Sequence, residues 1–364
     1  MGLMIAGMGK ALPPASIDQA EAARIATVLC CRSPEQETWL PTMYGHTGID
    51  SRHISLGEPL IRDLLDGTRD SGSVYLPRDA DDVTGPTTEQ RMRIYRELSI
   101  PLALEASLQA LQQSTLKAAE ITHLVTVSCT GFFAPGIDYE LIRGLNLRPT
   151  VQRTHVGFMG CHGAINGLRV AGAYAGADAN ARVLLCAIEL SSVHYHYGWD
   201  PQKIIANAIF GDGAAAVVGV PGTGGWTLDA CGSCLLPDSA NAMTWTIGDH
   251  GFDMTLSKHV PGLIGRHLRP WLVEWLASQK LTLDEVKSWA VHPGGPRVLS
   301  AVEESLGLTP ERTWASREVF AACGNISSPT VLFILDRLRQ ANAPRPAVAL
   351  AFGPGLVGEA ALFR

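Results

Sequence analysis

Apolar runs of strand length alternate with longer segments of helical periodicity along almost the whole chain, and none approaches the 18 residues needed to cross a bilayer. Such alternation confines the polypeptide to a layered α/β fold, with helices packed on sheets. Strand patterns fall at 2–8, 122–129, 182–188, 213–219, 226–234, 288–292, 346–352 and 356–363. Helices are expected from Ser16 to about Cys30, over 88–116 with a break near Pro101, and over 261–279, 297–305 and 325–341. The pattern restarts after residue 220, giving an N-terminal half, 1–220, and a C-terminal half, 221–364. Each half places a glycine and a polar residue directly before an apolar helix, around Cys161 in the first and Asn325 in the second. A duplicated fold would bring both helix starts to one central site.

Composition removes several classes. With 364 residues, 46 % hydrophobic and 18 % charged, the chain can bury a large core. A net charge of −6, from 29 basic and 35 acidic residues, lacks the positive footprint of a nucleic-acid binder. Anionic substrates remain compatible, because a local basic funnel can sit on an acidic protein. The opening MGLMIAGMGK has no basic region followed by a long apolar one, and Ala6 stands where a myristoylation signal wants Ser or Thr. A soluble, cytoplasmic protein is therefore expected, with its eight cysteines as free thiols. Cys231 and Cys234 have CxxC spacing, but no second pair or His pair follows, so they read as strand residues and no metal is expected.

Three side chains stand out as carriers of chemistry. Cys161 follows Gly160 at the start of a helix pattern, where partial positive charge favours the nucleophilic thiolate. His292 ends a hydrophobic strand and is followed at once by a Pro/Gly turn, a place where sites collect in α/β sheets. Asn325 follows Gly324 and opens the last helix pattern, a position also suited to a plain N-cap. His162 reads as a flanking residue, since neighbours on a helix face different ways. Phe210 begins a turn into a small-residue strand, and 351–355 is a tight loop between two strands.

Six strings in order resemble the type III polyketide synthases, the chalcone synthase-like enzymes of the thiolase superfamily, in their bacterial form. They are GFMGCHGA around Cys161, FGDGAAA from Phe210, KHVPG at 258–262, HPGGP from His292, GNISS around Asn325 and FGPG at 352–355. The resemblance implies a thiolase-like fold of two duplicated α/β/α/β/α halves in five layers, and a homodimer. It implies a Cys161–His292–Asn325 triad and free CoA thioesters as substrates, with no metal or redox cofactor. In that reading Cys161, lowered in pKa by the helix terminus and His292, holds an acyl starter. His292 and Asn325 would hydrogen-bond the malonyl thioester carbonyl and stabilise the enolate left by decarboxylation. Iterative Claisen condensation and cyclisation follow. Phe210 matches a gatekeeping phenylalanine, Pro354 a loop that scaffolds the cavity, and Ser327 a cavity-lining serine.

Departures from the plant enzymes bear on product choice. Met254 falls on their second gatekeeper phenylalanine, Trp245 on a cavity-wall glycine, and Ser191, His194 and Cys129 on threonines. Met254 is flexible and can yield to long apolar chains. Trp39, Thr42 and His46 replace the basic residues for the CoA phosphates, leaving Arg297 as a candidate substitute or a solvated helix residue. These features favour a fatty acyl-CoA starter and an alkylpyrone or alkylresorcinol product. A malonyl-primed tetrahydroxynaphthalene-type synthase is the alternative. A ketoacyl-ACP synthase III-like enzyme shares the triad but has an HQAN-like segment where this chain has HPGGP. A non-catalytic scaffold would be expected to lack one of the three residues.

Overall fold

The structure, a computed structural model, describes all 364 residues. In chain order the strands are β1 (Gly2–Ala11), β2 (Ser16–Asp18), β3 (Ser51–His53), β4 (His123–Ser128), β5 (Gln152–Gly157), β6 (Val183–Leu190), β7 (Asp212–Gly222), β8 (Thr227–Leu235), β9 (Met243–Gly248), β10 (Gly251–Leu256), β11 (Ser288–Val291), β12 (Ala347–Gly353) and β13 (Val357–Phe363). The α-helices are α1 (Gln19–Cys30), α2 (Pro34–Gly45), α3 (Glu58–Asp66), α4 (Thr88–Ser114), α5 (Ile137–Gly144), α6 (Gly163–Ala177), α7 (Pro201–Ile209), α8 (Val260–Ser278), α9 (Pro296–Leu306), α10 (Trp314–Cys323) and α11 (Pro329–Gln340).

Nine strands join in the order β11-β12-β13-β8-β1-β7-β6-β4-β5. β4 is parallel to β5 and β6, and β12 to β11, whereas β7 and β13 run antiparallel to their neighbours. The join between β1 and β8 is short, pairing Leu3 with Leu228 and Met4 with Thr227.

Strand periodicity explains the layering. In β6, Val183, Leu185 and Ala187 enter a core shared with α6 and α11, while Leu184, Cys186 and Ile188 enter another against α4 and α5. In β12, Ala347, Ala349 and Ala351 join the same shared core, while Val348, Leu350 and Phe352 face α8 and α9. Each strand is thus apolar on both faces, which is why these segments read as continuous apolar runs. The result is helices, sheet, central helices, sheet, helices: the five layers expected.

Local details correct the sequence reading. Ser16 does not open the first helix; it belongs to β2, which pairs with β3, and Asp18 caps α1 in a box with Glu21. Pro101 does not break α4, which runs 27 residues through it. Proline removes one bond of the ladder there, but Leu102, Ala103, Ala106 and Ala110 just after it are buried and hold the helix to the sheet. Asn325 is not the cap of the last helix, which starts at Pro329; it forms an isolated parallel bridge with Phe210. No helix is long and apolar enough to cross a membrane.

Candidate active site

Cys161 lies in a 3-10 turn, Gly160–His162, leading into α6. Gly160 has φ +69°, and a Cβ there would lie 2.4 Å from Pro354 Cδ in the loop between β12 and β13. Only glycine lets the turn that carries Cys161 press against that loop. Gly324 before Asn325 has φ +66°, and its Cβ would meet Ile209 O at 2.8 Å. That approach lets Asn325 N–H donate to Ile209 O at 2.8 Å and Gly211 N–H to Asn325 O at 2.9 Å. Phe210 and Asn325 are thereby locked side by side.

Asn325 Oδ1 accepts the Ser327 N–H at 2.7 Å, so the amide is oriented and its NH₂ is left for another partner. Ser327 itself has φ +56°, a strained value for a residue with a side chain. Its hydroxyl lies 3.5 Å from Cys129 Sγ. His292 follows β11, with its N–H bonded to Leu350 O at 2.8 Å. The ring is buried, 1 % exposed, and neither nitrogen has a hydrogen-bond partner.

Electrostatics overturn one expectation. Burial pushes the Cys161 thiol up to about 11, with the Ser327 and Asn325 side chains pulling back toward the thiolate and the Glu189 charge adding to the rise. Burial also pushes His292 down to about 3, helped by nearby His162. The helix start does not make a resting thiolate, because desolvation outweighs the partial charge of one helix end. At neutral pH the Cys161 thiol and the His292 imidazole are thus both held uncharged.

A cavity of about 310 Å³ opens on Cys161 and Ser327; His292 and Asn325 lie behind its wall, Asn325 bridged to the lining residue Phe210. Cys161, Cys129, Ser191, His194, Phe210, Met254, Ser327 and Pro354 all line it, as does Trp245. Arg297 does not; it is exposed in the first turn of α9. Met254 and Trp245 face each other across the β9–β10 hairpin. No three His, Cys, Asp or Glu side chains are grouped to hold a metal ion.

The sequence matches two consecutive family models, chalcone and stilbene synthases, N-terminal domain over residues 2–222 and C-terminal domain over 227–364. The chain belongs to the chalcone and stilbene synthase family. It is 32 % identical to the alpha-pyrone synthesis polyketide synthase-like Pks18 of Mycobacterium tuberculosis, covering 99 % of this chain and 90 % of that protein. It is 31 % identical to the 1,3,6,8-tetrahydroxynaphthalene synthase of Streptomyces peucetius, covering 100 % and 93 %. Among solved structures it resembles PKS-I of the brown alga Ectocarpus siliculosus, with TM-score 0.91, 31 % identity and coverage of 100 % and 98 %. A fungal type III polyketide synthase, ORAS, superposes with TM-score 0.85 at 28 % identity, covering 100 % of both chains. The protein is therefore a type III polyketide synthase of thiolase-like fold, an acyl-transferring enzyme.

Sequence reading missed two features of the synthase. Glu189, at the end of β6, is fully buried and accepts from Cys129 N–H, Thr130 N–H, and the hydroxyls of Ser128, Thr130 and Ser328. It ties the loop after β4 to the loop before α11, and an acid in the apolar run VLLCAIEL was the available signal. His162 is more than a flanking residue. It is buried, its Nδ1 lies 2.7 Å from Asn166 Oδ1, and Asn166 Nδ2 donates to Glu359 at 3.0 Å.

Proposed function

We propose that the synthase primes Cys161 with a fatty acyl group from acyl-CoA, extends it with malonyl-CoA and closes the chain to an alkylpyrone or alkylresorcinol. The observation that carries the mechanism is the His292 imidazole, buried with both nitrogens unpaired. Leaving buried polar atoms unsatisfied costs about 1–3 kcal/mol per group, so such atoms mark a place kept for a ligand. In the proposed sequence the thiol proton passes to His292 as Cys161 Sγ attacks the starter carbonyl. The carbonyl–CoA bond breaks and CoA leaves, taking up a proton. Malonyl-CoA follows, and its carboxylate departs as CO₂. The electron pair left behind forms an enolate, whose oxygen receives hydrogen bonds from His292 and the Asn325 amide. The enolate carbon attacks the Cys161 thioester, and sulfur leaves. A neutral imidazole suits the donor role, as it keeps one N–H without adding a full charge to the pocket.

Apolar cavity walls and a flexible Met254 support the long-chain starter, and the alpha-pyrone synthesis in the name of the Mycobacterium relative supports a pyrone product. The scheme needs CoA thioesters and no further cofactor, and places the enzyme in the cytoplasm with them. We assign no residue to the CoA phosphates beyond the exposed Arg297 as a candidate. The tetrahydroxynaphthalene synthase relative and Cys129 on the cavity wall favour a second reading, priming by malonyl-CoA. Mass spectrometry of products from purified enzyme, malonyl-CoA and a panel of acyl-CoA starters decides between them. Acyl-derived pyrones or resorcinols are expected; product from malonyl-CoA alone, with no acyl starter incorporated, would replace the first reading by the second.

We also propose a homodimer. β5 ends the sheet with one edge unpaired, and Phe132, Phe158 and Met159 are exposed beside it. Open edges and exposed apolar groups are features that association covers. Light scattering at the mass of one chain across micromolar concentrations would contradict it.

A further inference from the structure

The cavity has two unlike sides, and they decide where an acyl chain tethered to Cys161 can run. On the β9–β10 side its wall beside Cys129 is aromatic, and only farther out does the hairpin add the exposed Asp249, His250 and Asp253. Trp245 Nε1 donates to Cys129 O at 2.7 Å, and its ring stands edge-on to His194, with centroids 5.5 Å apart. His194 stacks on Phe252 at 4.0 Å, and its two nitrogens contact Thr130 O at 2.6 Å and the Phe252 N–H at 3.0 Å. Phe252 in turn packs on Phe132 and Phe158. Every polar atom of the Trp245–His194 pair has a partner, so neither ring swings aside without losing a buried hydrogen bond.

The other side is aliphatic. The same cavity continues between α1 and α3, where Ala22, Ile25 and Leu29 face Leu60, Ile61 and Leu64. The Tyr75 hydroxyl beside them is occupied by Val193 O at 2.8 Å. Arg52 stands at the site end of this passage, its Nη1 bonded to the carbonyls of Asn207 and Phe210, and its Nε and Nη2 have no partner. Beyond it the walls of α1 and α3 offer hydrocarbon only. An apolar void of this kind stays dry and is filled favourably by an alkyl chain, at about 0.8 kcal/mol per buried CH₂.

We infer that the starter's alkyl chain is seated between α1 and α3, and that Trp245 bars it from the β9–β10 side. This rests on the acyl-CoA reading above. It makes the facing residues of α1 and α3 the ruler for starter length. The direct test uses the wild-type enzyme and a dodecanoyl-CoA analogue with a terminal diazirine. After Cys161 is acylated and the sample irradiated, label is expected in peptides covering 19–30 and 58–66. Label confined to 243–256 would overturn the seat while leaving the synthase reading intact. Failure of any acyl-CoA to acylate Cys161 would sink the synthase reading itself. A second arm measures dodecanoyl-CoA against hexanoyl-CoA turnover in Ile61→Trp and Leu29→Trp. The ratio should fall at least about tenfold in each, as for an overfilled apolar pocket. An unchanged ratio in both, with the ratio moved instead by Trp245→Ala, would refute the assignment.

Discussion

Glu189 and His292 are both buried polar groups, at the ends of β6 and β11, yet their surroundings are opposites. Glu189 gathers backbone and hydroxyl donors from two loops. His292 has none. A satisfied group holds its neighbours in place; an unsatisfied one in the same environment leaves its hydrogen-bonding capacity to whatever enters. The contrast is what the proposed mechanism uses, with Glu189 as scaffold and His292 as the group that meets the substrate.

The contrast can be broken by substitution. His292→Ala should lower malonyl-CoA decarboxylation by about 10²–10³-fold, or about 2.7–4 kcal/mol. Its urea midpoint should not fall as that of a variant losing a satisfied buried group does, because no side-chain hydrogen bond is lost and the cost of two unpaired buried nitrogens is relieved. Near-normal decarboxylation would remove His292 from the mechanism. Glu189→Ala should do the reverse in kind. It strands buried donors of Cys129, Thr130 and Ser328, and should cost at least about 1–3 kcal/mol in urea unfolding. A variant as stable as wild type would mean that the donors find other partners and that Glu189 is no scaffold.

Titration sharpens the same comparison. With its thiol held up near 11 by burial, Cys161 should be alkylated by iodoacetamide at a rate that keeps rising through pH 9. A plateau reached by pH 7 would restore the resting thiolate expected from the helix start. A smaller effect is expected on the acid side. Burial holds His292 and His194 near 3 in the folded state, whereas the unfolded chain takes up their protons near the ordinary value of 6.5. Stability is then full above pH 6.5 and falls as pH drops toward 3. His292→Ala should flatten that fall, and an unaltered acid limb would show that the ring protonates in the native protein.

The layered fold was legible because its strands are apolar on both faces and its helices lie between them. The boundaries that slipped were set by partners distant in sequence. Ser16 looks like a cap until β3 arrives to pair with it, and Pro101 looks like a break until α4 is seen buried along the sheet. The motif strings marked Cys161, Phe210, Ser327 and Pro354, which the fold brings to one cavity. Electrostatics were not legible, since the depth at which Cys161 and His292 lie is a property of packing. Nor was the alliance of Trp245 with Cys129, which joins a hairpin to the end of a strand more than a hundred residues away.

The contact of Gly160 with Pro354 has a bearing on how the enzyme could be taken apart. The bend that aims the sulfur is set against a loop synthesised nearly two hundred residues later. A nascent or truncated chain ending at residue 222 would already contain the thiol but nothing to aim it. Competence should switch on only when the final hairpin docks, so that a split protein would regain activity solely on mixing its fragments.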